Sequence, residues 1–93
     1  MLLNTGGYKI YIMKATKENN KIILELGNDE ALVLLHWLFQ FNKNDDATFF
    51  EDQAEERVLW DIEAVLEQTM HEILSNNYTE LLSKAREKIR DEK

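Results

Sequence analysis

Residues Asp29–Asn42 read DEALVLLHWLFQFN, and nine of the fourteen positions are apolar. Successive helical residues stand about 100° apart, so Leu32, Val33, Leu34, Leu35, Trp37, Leu38, Phe39 and Phe41 leave no polar face wide enough for solvent. The stretch predicts a central helix covered on several sides. Gly27 ends what precedes it, Asn28 is the expected N-cap, and Asp29 and Glu30 suit the positive end of the helix dipole.

Upstream, Tyr8–Thr16 (YKIYIMKAT) and Lys21–Leu26 (KIILEL) alternate apolar and polar residues with strand period. Lys17-Glu18-Asn19-Asn20 supplies the turn, because asparagine tolerates positive φ. A hairpin follows. Two strands alone are marginal in water, so it must lie on helices or extend through another subunit. Residues 1–7 are expected to be poorly ordered, and Met13 is a second candidate start.

Downstream, residues 43–47 (KNDDA) form a polar loop, and Thr48-Phe49-Phe50-Glu51 has the spacing of a capping box. A second helix runs to about Met70, with Ala54, Val58, Ile62, Val65 and Leu66 as its expected core stripe. Trp60 falls about opposite that stripe, on a ridge with Asp52, Glu56, Glu63 and Glu67. Residues 71–77 (HEILSNN) read as a connection with Ile73 and Leu74 tucked under it. Asn77 and Glu80 repeat the cap-then-acid spacing, and a third helix from Tyr78 to about Asp91 aligns Tyr78, Leu81, Leu82, Ala85 and Ile89. The expected fold is α+β and mostly helical: one domain over residues 1–93, a two-stranded antiparallel hairpin followed by three helices.

Ninety-three residues hold a single core with little margin, which together with the hairpin favours a homodimer, through the free strand edge or the Trp60 side. Without cysteine there are no disulfides, thiolate metal sites or cysteine nucleophiles. The longest apolar run falls far short of the ~20 residues that span a bilayer, and the N-terminus does not resemble a secretory signal. A cytoplasmic location is expected. The net charge of −7 is concentrated in residues 44–83, where eleven acids face Arg57 alone. Such a field repels phosphate backbones and anionic lipids, so neither nucleic acid nor membrane is an expected partner. A basic protein fits it.

The blocks NDEALVLLHWL (Asn28–Leu38), FEDQAEERVLWDIEAVLE (Phe50–Glu67) and NYTELLSKAREKIRD (Asn77–Asp91) together resemble a group of small uncharacterised bacterial proteins. The resemblance covers about residues 21–91 and implies a bacterial cytoplasmic protein. It carries no activity, cofactor or catalytic residue.

Chemistry has few candidates. Glu63, Glu67 and His71 would stand in a ladder on a continuous helix, but carboxylate-bridged metal sites use Glu-x-x-His pairs on facing helices, and none occurs. No metal or other cofactor is therefore expected. His36 is a potential general base, yet neither Ser75 nor Ser83 has a nucleophile's turn context. Gly6-Gly7 precedes a strand and cannot cradle phosphate. What remains is Trp60, with Phe49 and Phe50 nearby, since tryptophan among polar groups is typical of interface anchors. The favoured function is a non-enzymatic protein–protein interaction module of acidic inhibitor or immunity type, with Asp52, Glu56, Trp60, Glu63 and Glu67 as its face. The alternative is a small enzyme or metal-dependent protein using His36 or the Glu63, Glu67, His71 ladder. A concave pocket around His36 with converging acids would favour the enzyme, and a convex surface with Trp60 exposed would favour binding.

Overall fold

The computed structural model describes residues 13–43 and 49–90. Strands β1 (Lys14–Glu18) and β2 (Lys21–Glu25) form the expected antiparallel hairpin, followed by helices α1 (Asn28–Asn42), α2 (Gln53–Thr69) and α3 (Tyr78–Ile89). The expected strand residues Tyr8–Ile12, and the expected disorder of residues 1–7, lie outside the described residues. Strand β1 runs two residues further than its apolar alternation suggests, because the turn needs only Asn19 and Asn20. Asn19 takes φ 56°, and Glu18 faces Lys21 directly.

Every residue of both strands is exposed. Directly opposed residues share a face, so Ala15, Lys17, Ile22 and Leu24 lie on one side and Lys14, Thr16, Glu18, Lys21, Ile23 and Glu25 on the other. The hairpin is amphipathic, and among the described residues the helices do not cover its apolar side. The radius of gyration, 15.5 Å, exceeds the about 12 Å typical of a compact chain of this length.

Helix α1 is central as expected, touching both α2 and α3. Leu32, Leu35 and Leu38 are its largest fully buried side chains, and the main core joins Ala31, Leu32 and Leu35 to Met70, Leu82 and Ala85. The N-cap is Gly27 rather than Asn28. Extended Gly27 donates its N–H to Glu30 Oε1 (2.8 Å), which frees the Asn28 side chain to donate to Glu72 Oε2 (2.9 Å) across the domain. Coverage is one-sided, however. Trp37 is 52 % exposed, so the outer face of α1 looks outward.

Helix α2 departs from expectation at both its start and its phase. It begins at Gln53 with Asp52 as N-cap, whose Oδ1 accepts from the Ala54 N–H (2.7 Å). Glu51 thus precedes the helix, and its expected box partner Thr48 lies outside the described residues. The side turned to the domain carries Glu56, Leu59, Ile62, Glu63, Leu66 and the C-cap Met70. Of the expected stripe only Ile62 and Leu66 are sheltered, while Val58 and Val65 are more than half exposed. The reason is tertiary: Leu59, Leu66 and Met70 offer larger side chains to α1 than the valines do, and the helix rotates by about a quarter turn to present them.

The expected connection contains one 3₁₀ turn, His71–Leu74. Ile73 packs on the core as expected, but Leu74 is 80 % exposed. Asn77 makes no side-chain cap on α3, because its Oδ1 accepts the Ser75 hydroxyl instead. Within α3, Leu82 and Ala85 are buried against α1, and Lys88 reaches Asp29 at 3.6 Å. That pair is largely exposed and contributes little to stability.

Candidate functional site

The ridge of α2 is built by spacing. Positions 52, 56, 60, 63 and 67 recur every three or four residues and so share one face. Asp52 is occupied as the cap, Glu56 and Glu63 are half-buried, and Glu67 is exposed. The quarter-turn rotation brings Trp60 from the back of the helix to the border of the core-facing side, where it remains 44 % exposed. There it divides two concavities. A groove of about 550 Å³ lies on one side, lined by His36, Phe39, Asn42, Lys43, Glu63 and Tyr78. A smaller one of about 380 Å³ lies on the other, lined by Asp52, Glu56 and Arg57.

Two side-chain pairs shape the groove, each linking α1 to a neighbouring helix. His36 Nδ1 and the Tyr78 hydroxyl share a hydrogen bond of 2.9 Å, with the rings tilted at 47°. Burial lowers the His36 pKa, and the positive charges of Arg86 and Lys43 push it the same way. Burial also raises the Tyr78 pKa, against the pull of Arg86. Both groups are thus held neutral near pH 7. Asn42 Nδ2 donates to Glu63 Oε1 at 2.5 Å, while Asn42 Oδ1 is buried without a partner among the described residues. Elsewhere, the Asn28 amide lowers the Glu72 pKa, helped by the Glu72 backbone N–H and, least, by His71, against the opposing effect of burial.

His36 has one ring nitrogen bonded, to the Tyr78 hydroxyl, and among the described residues stands beside no serine nucleophile. The Glu63, Glu67, His71 ladder is not assembled. Helix α2 ends at Thr69, and Met70 turns to φ −97°, ψ 102°, which carries His71 off the helical face. Among the described residues, no group of three His, Cys, Asp or Glu side chains could hold a metal ion. Ser75 is bonded to Asn77 and Ser83 is exposed on α3, and neither lines the groove. Among the described residues one carboxylate, Glu63, reaches the groove, and it is engaged by Asn42.

No family model, curated protein or solved structure matches this chain. Among the described residues, no helix is long and apolar enough to cross a membrane.

The lowered pKa of His36 has a measurable consequence. The folded state resists the proton that the unfolded chain accepts below about 6.5, histidine's ordinary value. Its contribution is therefore complete above that pH and declines as pH falls through it. The urea midpoint is expected to drop between pH 7.5 and 5.5, and His36→Gln should flatten that part of the profile. The contribution of Glu72 is separate, since it is lost only at more acidic pH, below about 4.3. An unchanged slope between pH 7.5 and 5.5 in the variant would acquit His36.

Proposed function

We propose that this protein is a non-enzymatic interaction module that binds a basic protein partner through Asp52, Glu56, Trp60, Glu63 and Glu67, in the manner of an acidic inhibitor or immunity-type protein. The observation that carries the reading is Trp60. A half-exposed tryptophan between two concavities, on a ridge of carboxylates, offers a large apolar area with a charged rim. The charge supports the sign of the partner, since α2 carries five acids against Arg57. The same field disfavours nucleic acid and anionic lipid.

Capture from a bacterial lysate at low salt should bring down a basic protein, and physiological salt should weaken the capture, because exposed charges are screened beyond ~8 Å. Trp60→Ala is expected to reduce the affinity by roughly 30-fold, the effect of losing an anchor worth about 2 kcal/mol. Circular dichroism of the variant should match the wild type. If Trp60→Ala unfolds the domain, or binds as before, the ridge is not the interface.

A second reading, a small enzyme acting at the groove, is favoured by one observation: His36 and Tyr78 line it together. Against that reading, the groove offers no serine nucleophile, and Asn42 engages its carboxylate. The ladder version of that reading loses its geometry where α2 ends.

A further inference from the structure

The outer face of α1 and the apolar side of the hairpin are both left uncovered by the described residues. On α1, Trp37 stacks on Phe41 with centroids 4.7 Å apart and planes within 13°. Phe49 and Phe50 each reach Phe41 at 5.8 Å, and Trp37 and Phe49 are more than half exposed. On the hairpin, Ile22 is 67 % and Leu24 54 % exposed on one side, with Met13 beside them. Aromatic clusters of this kind are characteristic of interface centres, and a lone two-stranded hairpin is marginal without a cover.

We propose that the occupant of both faces is a second copy of this chain, arranged about a two-fold axis so that each hairpin seats on the Trp37, Phe41, Phe49 cluster of the other copy. The inference goes beyond the Trp60 reading and does not depend on it. Connectivity supports the arrangement. Strand β2 passes through Leu26 and Gly27 straight into α1, so the hairpin stands at the N-terminal end of that helix, while the aromatic cluster lies at the other end. Two α1 helices, each about 22 Å long, packed antiparallel by their outer faces bring the about 17 Å hairpin of one alongside the cluster of the other. Charge supports it too. The hairpin carries Lys14, Lys17 and Lys21 against Glu18 and Glu25, whereas residues 49–56 (FFEDQAEE) follow the cluster with four acids and no base. Size points the same way: a stable dimer needs about 800 Å² from each copy, more than one helix face supplies, and a hairpin given and a hairpin received enlarge it.

Sedimentation velocity on the full chain, from low to high micromolar concentration, should show a reversible dimer. Ile22→Glu with Leu24→Glu should give the mass of one chain, and so should Phe49→Asp. All three sites are exposed, so both variants should keep the wild-type circular dichroism. Mixing the two variants is the decisive measurement. The hairpin variant retains a cluster and the cluster variant retains a hairpin, so one of the two contacts re-forms and a heterodimer of the mixed pair appears. A wild-type chain that stays monomeric at high micromolar concentration overturns the proposal, leaving residues 1–12 or a different protein as the cover. A dimer that survives either variant, or variants that fail to complement each other, overturns it as well, survival of Phe49→Asp alone pointing to hairpin-to-hairpin pairing.

Discussion

Leu35→Ala is expected to cost about 2–5 kcal/mol of folding stability, and Leu38→Ala a loss in the same range. Leu35 is wholly buried, on the helix that packs against both others, within the cluster that joins Leu32, Met70, Leu82 and Ala85. Truncation there removes the transfer energy of the side chain and leaves a void lined by three separate elements, which cannot all close on it at once. Leu38 is equally buried but outside that cluster, so the two substitutions probe different parts of the α1 surface. The total stability of a domain this size is about 5–15 kcal/mol, so either change consumes a large fraction of it. Melting should fall by roughly 10 °C or more. Urea titrations that gave less than about 0.5 kcal/mol at both positions would mean that α1 is not the centre of the domain.

That α1 is central was legible because its sequence leaves no alternative: with apolar residues at nearly every angle, any rotation buries leucines. Helix α2 was legible as a helix but not in its rotation. Ala54, Val58, Ile62, Val65 and Leu66 form one apolar stripe, while Leu59, Ile62, Leu66 and Met70 form another about a quarter turn away. Both have helical period, and only the shape of the α1 surface chooses between them. The misplaced phase moved Trp60 from the back of the helix to the rim of a groove. Similarly, the caps at Gly27 and Asp52 each lie close to a second residue of capping type, and backbone geometry decided which one served.

The ridge residues could be chosen from spacing and charge, but the groove beside them could not. Its defining pairs, His36 with Tyr78 and Asn42 with Glu63, join residues 42 and 21 positions apart, and local patterns carry no signal at such separations. The one available hint was Tyr78 itself, a side chain with a polar tip at an otherwise apolar position of α3, since a sheltered tyrosine hydroxyl usually has a partner.

Ala85→Glu is expected to abolish cooperative folding at neutral pH. Ala85 is 1 % exposed on the side of α3 that meets α1, one turn beyond buried Leu82, so a longer side chain has no void to enter. The new carboxyl must either lose its water without gaining a partner, which costs several kcal/mol, or force α3 away from α1 and forfeit the shared core. Near-ultraviolet circular dichroism should lose the tryptophan and tyrosine signals while helical far-ultraviolet intensity partly persists, and the urea transition should broaden. Acid distinguishes charge from bulk. A carboxyl held in an apolar contact has its folded-state pKa raised, so its neutral form is stabilising relative to its charged form. The deficit of the variant against wild type should then be smallest below the ordinary carboxyl pKa and grow as pH rises through the raised value. Ser83→Glu is the control, because Ser83 is exposed on the opposite side of α3 and its replacement should change stability by less than about 0.5 kcal/mol. Equal effects at positions 83 and 85 would mean that α3 does not present this face to α1.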